Sequence, residues 1–240
     1  MHDLWTNIQK ELREGKDSFV IQVRDAWLNK PTLEEAVADH LLRTLAQADI
    51  TEDFLHRLAG QADPAWTDSF EVDLRAYFDR DFAIQSYLEV LLLSRGFMAV
   101  SAHRLAHVLW QSGQRLSAQW INRRVAELWG IDLHPAARIG RGLVIDHGMG
   151  TVVGETSLIG DHVFLFHNVT LGGTGHAAGD RHPKVGNHVV IGTGATLLGN
   201  LHIGDHAVIA AGSVVLKDVP PNTTVAGIPA KVKGPARELQ

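Results

Sequence analysis

Apolar residues recur with a helical period from Met1 to about Gly130. One stripe, typical of the buried face of an amphipathic helix, consists of Leu33, Val37, Leu41 and Leu45. Thr32 and Glu35 match the capping-box pattern just before it, so we predict a helix start there. Similar patterns predict a helix start at residues 68–71, a helix ending near Gly113, and a helix with Ile121, Val125 and Leu128 on its buried face, ending at Gly130. The first half is therefore predicted to be all α.

After Gly130 a period of six residues replaces the helical one. Aliphatic residues, commonly followed by glycine or another small residue, recur at Val185, Ile191, Leu197, Ile203, Ile209 and Val215. This self-similarity is typical of a β-helix of hexapeptide repeats, in which three hexads close one coil. A β-sandwich is the alternative, but its strands vary in length and are separated by clusters of turn residues. The period does not fix the hand of the coil, and general crossover rules favour a right-handed one.

The repeat is interrupted between Leu171 and Val185, which are fourteen residues apart instead of twelve. The intervening GGTGHAAGDRHPK is glycine-rich and charged, which predicts an extruded loop over residues 173–184. Four ionisable side chains lie within five positions of this loop, namely Asp180, Arg181, His182 and Lys184. Such a loop on a rigid solenoid favours a functional role over that of a solvated connection.

Composition narrows the classes of function. The chain has no cysteine, which excludes disulfides, thiolate metal ligands and a cysteine nucleophile. With 22 basic and 27 acidic residues it offers no basic field for nucleic acid or anionic lipid. Its charged amino terminus lacks the apolar region of a secretory signal, and no apolar run approaches the ~20 residues of a membrane-spanning helix. We therefore expect a cytoplasmic protein that acts on small molecules, without nucleic-acid or membrane partners.

Four motifs of the repeat half resemble those of bacterial and plant serine acetyltransferases, the serine O-acetyltransferase family of hexapeptide-repeat acyltransferases. They are DLHPAARIGRGLVIDH at 132–147, GTVVGETSLIG at 150–160, VTLGGTGHAAGDRHPKVG at 169–186 and PPNTTVAGIPAKV at 220–232. The resemblance is looser in the helical half, at YFDRDFA (77–83) and LLLSRGFMAVSAHRLAHVLW (91–110).

The resemblance implies an α+β fold. An all-α N-terminal helical domain (1–130) would contribute to oligomerisation and to the serine site. A C-terminal left-handed parallel β-helix (131–234) would be catalytic, and a short tail (235–240) would follow it. The resemblance also implies a homotrimer through the β-helices and commonly a dimer of trimers through the helical domains.

The implied reaction is acetyl transfer from acetyl-CoA to the hydroxyl of L-serine, giving O-acetyl-L-serine and CoA, the first step of cysteine biosynthesis, without a metal. His147 in IDHG matches the general base of the family, and Asp132 in DLHP matches the carboxylate that orients it. Because these residues are fifteen positions apart, close to one coil of eighteen, we expect them to be neighbours. His182 matches a second active-site histidine, which would position serine and assist the developing charge.

The implied substrate contacts come from several segments. Asp81 and Asp146 match residues that bind the serine ammonium, and Arg181 matches the guanidinium that clamps its carboxylate. For Asp81, a surface acid on a helix is the alternative. The backbone amide of Gly173 is our candidate donor to the thioester oxygen. CoA is expected in a groove along the coils, at Gly173, Thr174, Thr193, Ala211, Lys217 and Lys231. An ordinary corner residue is an equal alternative for most of these positions.

Three alternative functions remain. A lyase resembling the γ-class carbonic anhydrases would need three histidines around zinc, and His147, His182 and His188 have suitable spacing, with His162 and His167 as another pair. A related acyltransferase with another hydroxyl acceptor would usually lack the helical domain and the DLHP motif. A scaffolding trimer would not need the ionisable loop.

The sequence also leads to two expectations about regulation. L-cysteine resembles serine at both charged ends, so we expect it to compete for the serine site as a feedback inhibitor. Family members commonly bind their sulfhydrylase partner through a C-terminal tail that ends in isoleucine. The printed sequence ends GPARELQ instead, so we do not expect the sulfhydrylase complex by that route.

Overall fold

The computed structural model describes residues 4–175 and 178–236, and in these ranges helices precede short strands. The helices are α1 (Leu4–Glu14), α2 (Ser18–Leu28), α3 (Leu33–Leu45), α4 (Glu52–Gly60), a 3₁₀ turn (Pro64–Thr67), α5 (Phe70–Arg80), α6 (Tyr87–Leu93), α7 (Arg95–Gln111) and α8 (Arg115–Trp129). Positions 176 and 177 of the predicted loop, and 237–240 of the predicted tail, lie outside the described residues.

The fifteen strands within these ranges are mostly two residues long. They are β1 (Asp132–Leu133), β2 (Arg138–Ile139), β3 (Val144–Ile145), β4 (Val152–Val153), β5 (Leu158–Ile159), β6 (Phe164–Leu165), β7 (Thr170–Gly172), β8 (Lys184–Val185), β9 (Val190–Ile191), β10 (Thr196–Leu198), β11 (His202–Ile203), β12 (Val208–Ile209), β13 (Val214–Val215), β14 (Thr223–Ala226) and β15 (Lys231–Pro235). The last strand thus reaches one residue into the segment predicted as tail.

A capping hydrogen bond and a left-handed glycine explain two of the predicted helix boundaries. At the start of α3, Thr32 Oγ1 accepts a hydrogen bond from the Glu35 amide at 3.2 Å. Helix α8 ends before Gly130, whose left-handed conformation (φ 69°) is the usual helix stop. The predicted buried stripe of α8 is wrong at Leu128, which is 36% exposed because the last turn of the helix lies at the margin of the core.

The strands form three sheets. Sheet I contains β1, β4, β7, β10 and β13, sheet II contains β2, β5, β8 and β11, and sheet III contains β3, β6, β9, β12, β14 and β15. Neighbours are parallel except β14 and β15. Because consecutive strands visit the three sheets in turn, each coil is a triangle. This confirms the α+β class with a left-handed parallel β-helix of hexapeptide repeats.

Two coils depart from the regular length. Asp132 pairs with Val152, twenty residues on, whereas Val152 pairs with Thr170 at the regular eighteen. The first coil therefore carries two extra residues, in the turn between β3 and β4. Thr170 pairs with Thr196, twenty-six residues on, so the next insertion is the predicted loop between β7 and β8. Both insertions carry predicted site residues.

The first coil has no preceding coil to pair with, and helical side chains bind its free backbone groups instead. Asp73 Oδ1 accepts the Gly142 amide at 2.7 Å, and the Tyr77 hydroxyl oxygen accepts the Ile145 amide at 2.8 Å. His103 Nε2 lies 3.2 Å from the carbonyl oxygen of His134. These contacts satisfy groups that an open sheet edge would expose.

A buried ion pair completes this junction. Arg104 Nε lies 2.7 Å from Asp73 Oδ2, and Asp73 is fully buried. The same guanidinium donates to the carbonyl oxygens of Ile139 and Gly140 at 3.4 and 2.9 Å. Burial raises the pKa of Asp73 above its ordinary value, although Arg104 and the Gly142 amide oppose the shift. We call the side chains that bind the first coil the helical cap: Asp73, Tyr77, His103, Arg104, His107 and Asn122.

The helical half and the β-helix share one core. Helix α8 ends at Trp129 and β1 begins at Asp132, which lies beside the boundary predicted at 130. The buried apolar side chains on both sides of that boundary nevertheless form one continuous cluster. In the part of the chain that the structure describes, no helix has both the length and the apolar character of a membrane span.

Candidate active site

A cavity of about 420 Å³ lies where helices α5 to α7 meet the first coil of the β-helix. Its charged and polar lining includes Tyr77, Asp81, Glu89, Arg95, Asp146 and His147. Three residues singled out in the sequence, Asp81, Asp146 and His147, are thus brought together although 66 positions separate the first from the last. Asp81, for which a surface acid on a helix is the alternative, is half-buried at the end of α5 and lines this cavity.

The two-residue insertion of the first coil places His147 in this cavity. His147 has a left-handed backbone (φ 55°), uncommon for a residue other than glycine, inside a tight turn in which the Gly148 amide donates to the Asp146 carbonyl oxygen at 2.6 Å. Its side chain is 69% exposed, and Nε2 lies 3.7 Å from Asp146 Oδ1. The ring of His167 packs against it edge to face. An imidazole held in this way can accept a proton from a ligand in the cavity.

Asp132 lies beside this turn without contacting His147. Its Oδ1 accepts a hydrogen bond from Asn122 Nδ2 at 2.9 Å. Among the described residues no hydrogen bond or ion pair joins Asp132 to His147. The segments that carry them are nevertheless adjacent, because a Cβ placed on Gly148 would lie 2.4 Å from the Ile131 side chain. The expected proximity of the segments is present, and the expected hydrogen bond is not formed.

Arg181 and His182 belong to a second cluster, organised by Thr156. The amides of Arg181 and His182 donate to Thr156 Oγ1 at 3.0 and 3.1 Å. Arg181 Nη2 pairs with Glu155 Oε2 at 2.8 Å. These two residues are not among those that line the cavity of His147. One chain therefore presents the predicted serine-binding residues in two separate groups.

The protonation of His182 follows from its partners. Nδ1 accepts the Thr156 amide at 3.1 Å, and because an amide can only donate, Nδ1 carries no proton in the neutral ring. Burial, followed by the nearby Arg181 charge, lowers the pKa of His182. The ring is therefore neutral at physiological pH, with its proton on Nε2. It can donate a hydrogen bond to a ligand oxygen.

The residues predicted to bind CoA flank the strands of sheet I. Gly173 and Thr174 follow β7, and Lys217 follows β13 by two residues. Thr193 and Ala211 lie in the turns that precede β10 and β13, at the opposite edge of the sheet. Lys231 is the first residue of β15 and is exposed. On one chain these positions do not form a single groove.

Among the described residues of one chain, the histidines suggested as zinc ligands do not form a group that could bind one ion. Across residues 4–175 and 178–236, the three side chains close enough to share one metal ion are Asp39, Glu52 and His56, in the helical half. Asp39 already contacts Lys30 and Arg43, so this group is better described as an ion-pair network. His147, His182 and His188 do not converge on one point. Within one chain, the described histidines thus give no geometric support to the spacing that suggested zinc.

Sequence reasoning missed three residues of these clusters. Thr156 and Glu155 lie inside the motif GTVVGETSLIG, so the motif signalled their segment but not their contacts with Arg181 and His182. Asn122 lies in mid-helix in α8 without any motif. Only the packing of α8 on β1 reveals its contact with Asp132.

Comparisons with known proteins identify related families and structures. A family model described as "Serine acetyltransferase, N-terminal" matches residues 4–102, and one described as "Bacterial transferase hexapeptide (six repeats)" matches residues 182–217. The chain is 44% identical over 237 residues to a probable serine acetyltransferase of Oryza sativa subsp. japonica, covering 96% of this chain and 78% of that protein.

Solved structures are similar over nearly the whole chain. A serine acetyltransferase of Brucella abortus strain S19 in complex with coenzyme A is 42% identical with a TM-score of 0.93, covering 98% of this chain and 96% of that one. A soybean serine acetyltransferase complexed with serine is 43% identical with a TM-score of 0.91, covering 96% and 97% of the two chains.

Proposed function

Because the chain belongs to the serine acetyltransferase family, we propose that it transfers the acetyl group of acetyl-CoA to the hydroxyl of L-serine, giving O-acetyl-L-serine and CoA for cysteine biosynthesis. The observation that carries the proposal is the cavity in which Asp81, Asp146 and His147 meet. The complexes of relatives with coenzyme A and with serine support both substrates.

His147 is the general base of the proposed reaction. Its ring takes the proton of the serine hydroxyl as the oxygen attacks the thioester carbonyl carbon. The resulting tetrahedral intermediate collapses by breaking the carbon–sulfur bond, and the CoA thiolate recovers the proton from the imidazolium. No protein acyl intermediate is needed, which agrees with the lack of cysteine. The exposed ring beside a carboxylate supports this role.

The serine ammonium binds to Asp81 and Asp146. Both carboxylates line the cavity together with Glu89, and their negative charge favours a cation beside His147. Asp81 is held by the Ala83 amide, which donates to its Oδ1 at 3.0 Å, so the carboxylate is fixed before a ligand enters. Preorganised acceptors of this kind reduce the entropy lost on binding.

Asp132 orients the His147 ring in the proposed mechanism. One of its oxygens is bound by Asn122, and the other has no hydrogen-bond or ion-pair partner among the described residues, so it remains available for an imidazole N–H. The adjacency of the two segments supports this assignment. The carboxylate stabilises the imidazolium that forms as the proton moves.

Arg181 and His182 come from a neighbouring copy in this proposal. His147 lies in a turn that leads from sheet III to sheet I, whereas the loop that carries Arg181 leaves the turn from sheet I to sheet II. In a trimer with sheet I facing the threefold axis, the turn from sheet III to sheet I of one chain, which carries His147, faces the turn from sheet I to sheet II of the next chain, which carries Arg181. Arg181 then exchanges Glu155 for the serine carboxylate, and His182 donates from Nε2.

The same packing joins the proposed CoA contacts. Thr193 and Ala211 precede sheet I strands, and Gly173, Thr174 and Lys217 follow them, so the two sets face each other across the contact between copies. The Gly173 amide is the proposed donor to the thioester oxygen, and Lys217 and Lys231 meet the CoA phosphates. We also propose that the chain forms a homotrimer or a dimer of trimers. In the same proposal, L-cysteine inhibits the enzyme and the protein is cytoplasmic.

The decisive experiment measures thiol release from acetyl-CoA with L-serine and with a panel of other hydroxyl acceptors, including sugars. We expect release with L-serine to exceed that with every other acceptor. Preference for another acceptor would replace serine in the proposal. Stoichiometric zinc without CoA release would overturn acetyl transfer altogether.

Arg181→Ala is expected to raise the KM for serine by roughly ten- to hundredfold. The substitution removes charged hydrogen bonds to the carboxylate, each contributing about 1.5–3 kcal/mol. Steady-state kinetics with saturating acetyl-CoA measure the change, and Arg181→Lys should give an intermediate value because lysine keeps the charge but not the planar fork. An unchanged KM for serine would contradict the clamp.

Gly154→Ala is expected to lower kcat/KM for serine by about 10²-fold. A Cβ at this position would lie 2.1 Å from the His182 ring, so the ring must move, and a shift of ~1 Å can have an effect of this size. The matched control is Gly60→Ala, where a Cβ meets nothing within 4 Å. Equal activity of the two variants would remove His182 from the site.

A further inference from the structure

Asn122 of α8 binds the segment of Asp132 at two points. Its Oδ1 accepts the Leu133 amide at 3.1 Å, and its Nδ2 donates to Asp132 Oδ1 at 2.9 Å. Asn122 is half-buried between the helical half and β1. One amide group thus bridges the backbone of the first strand and the carboxylate proposed to orient His147.

The direction of this amide is fixed by chemistry. The Leu133 N–H can only donate, so the oxygen of Asn122 must face it and the NH₂ group must face Asp132. If the amide were flipped, its NH₂ group would face the Leu133 N–H and its oxygen would face the Asp132 carboxylate. Neither pair can form a hydrogen bond. The side chain therefore presents a donor to Asp132 and holds one of its two oxygens.

Neighbouring members of the helical cap hold the residues that follow. His103 donates from Nε2 to the carbonyl oxygen of His134, and His107 Nδ1 lies 2.8 Å from the carbonyl oxygen of Pro135. Burial lowers the pKa of His103 to about 3, so this ring stays neutral and its contact does not change near neutral pH. Side chains of α7 and α8 thus form hydrogen bonds to each of residues 132–135.

We propose that Asn122 is a positioning residue of the acetyl-transfer site, whose amide anchors Asp132 Oδ1 so that the second oxygen is presented to the His147 ring. The inference rests on the proposed function, because it assigns a purpose to Asp132. It concerns a helical residue that contacts neither serine nor CoA. The helical half thereby contributes a positioning side chain in addition to Asp81, which is proposed to bind serine.

Asn122→Asp is the sharpest test, because it keeps the size of the side chain and the acceptor for the Leu133 amide. It replaces the donor facing Asp132 by a second carboxylate oxygen, which repels it. We expect kcat to fall on the order of tenfold as Asp132 turns away, with the KM for acetyl-CoA unchanged. Once turned away, Asp132 no longer stabilises the imidazolium of His147 at close range, and the new carboxylate at position 122 lies behind it, so the acidic limb of the kcat/KM profile moves to lower pH.

Asn187→Asp is the matched control. Asn187 Oδ1 likewise accepts a backbone amide, that of Asp161 at 2.8 Å, and its Nδ2 likewise faces a carboxylate, that of Asp205 at 3.5 Å. This residue lies in a turn between sheets II and III, away from the cavity. The same chemical change should therefore leave kcat and the pH profile as in the unaltered chain, with a similar change in thermal stability.

The outcomes separate this inference from the proposed function. If the unaltered chain releases no CoA with serine, the proposed function fails. The inference is then decided by an NMR titration of the His147 ring, assigned with His147→Gln, whose midpoint must move to lower pH in Asn122→Asp and not in Asn187→Asp. If the unaltered chain is active, two results would overturn the inference about Asn122. One is a kcat of Asn122→Asp within twofold of that of the unaltered chain, and the other is an equal loss of kcat in Asn122→Asp and Asn187→Asp.

Discussion

His147→Ala is expected to lower turnover by ~10²–10⁴-fold, the range that removal of a general base typically produces. The serine hydroxyl is a weak nucleophile until its proton is taken. Within the cavity, His147 is the imidazole that lies among the carboxylates proposed to bind the ammonium. Thiol release at saturating acetyl-CoA and serine measures the effect.

The control for this variant is His202→Ala, an exposed histidine on β11 outside the cavity. It should retain the activity of the unaltered chain. Near-normal turnover of His147→Ala beside an unaffected control would refute the base assignment and leave binding and orientation as the sources of the rate.

Arg104→Met is expected to lower the free energy of unfolding by about 3–5 kcal/mol, because it leaves the fully buried Asp73 carboxylate uncompensated. Burial already raises the pKa of Asp73, and loss of Arg104 raises it further. A carboxyl group with a raised folded-state pKa favours folding at low pH, and that contribution is lost as pH rises through the folded-state value. The loss should therefore be smaller near pH 4 than at pH 7.

Denaturant unfolding at both pH values tests this expectation. The matched control is Arg75→Met on α5, the helix that carries Asp73; it removes an exposed pair with Glu71 and should change stability by less than about 1 kcal/mol. Equal losses in the two variants, or a loss independent of pH, would contradict the role given to the buried pair.

The fold was predictable because its signals are periodic. The stripe from Leu33 to Leu45 and the stop at Gly130 predicted α3 and the end of α8 from local chemistry. The six-residue repeat predicted strands whose aliphatic residues, such as Ile191 and Ile209, are buried. The hand of the coil needed the family resemblance, since periodicity is the same for both hands.

The site was predictable residue by residue only where a motif existed. The motifs that predicted Asp81, Asp146 and His147 as site residues mark positions that line one cavity in the structure. The Asp132–His147 contact was expected from a coil of eighteen residues, but the first coil has twenty, and its insertion changes where the His147 side chain lies. Asn122 lies outside every motif, and the motifs that contain Thr156 and Arg104 do not reveal the contacts of these residues, because the partners lie on segments distant in sequence.

The helical cap covers the end of the β-helix at which the first coil would otherwise be an open sheet edge. Without the side chains of Asp73, Tyr77 and Arg104, the first coil would end in unsatisfied amides and carbonyls spaced to accept another strand. A repeat half separated from its helices could then add a second repeat half end to end and grow into a filament. The helices therefore prevent the β-helix of one chain from extending by strand pairing with the β-helix of another.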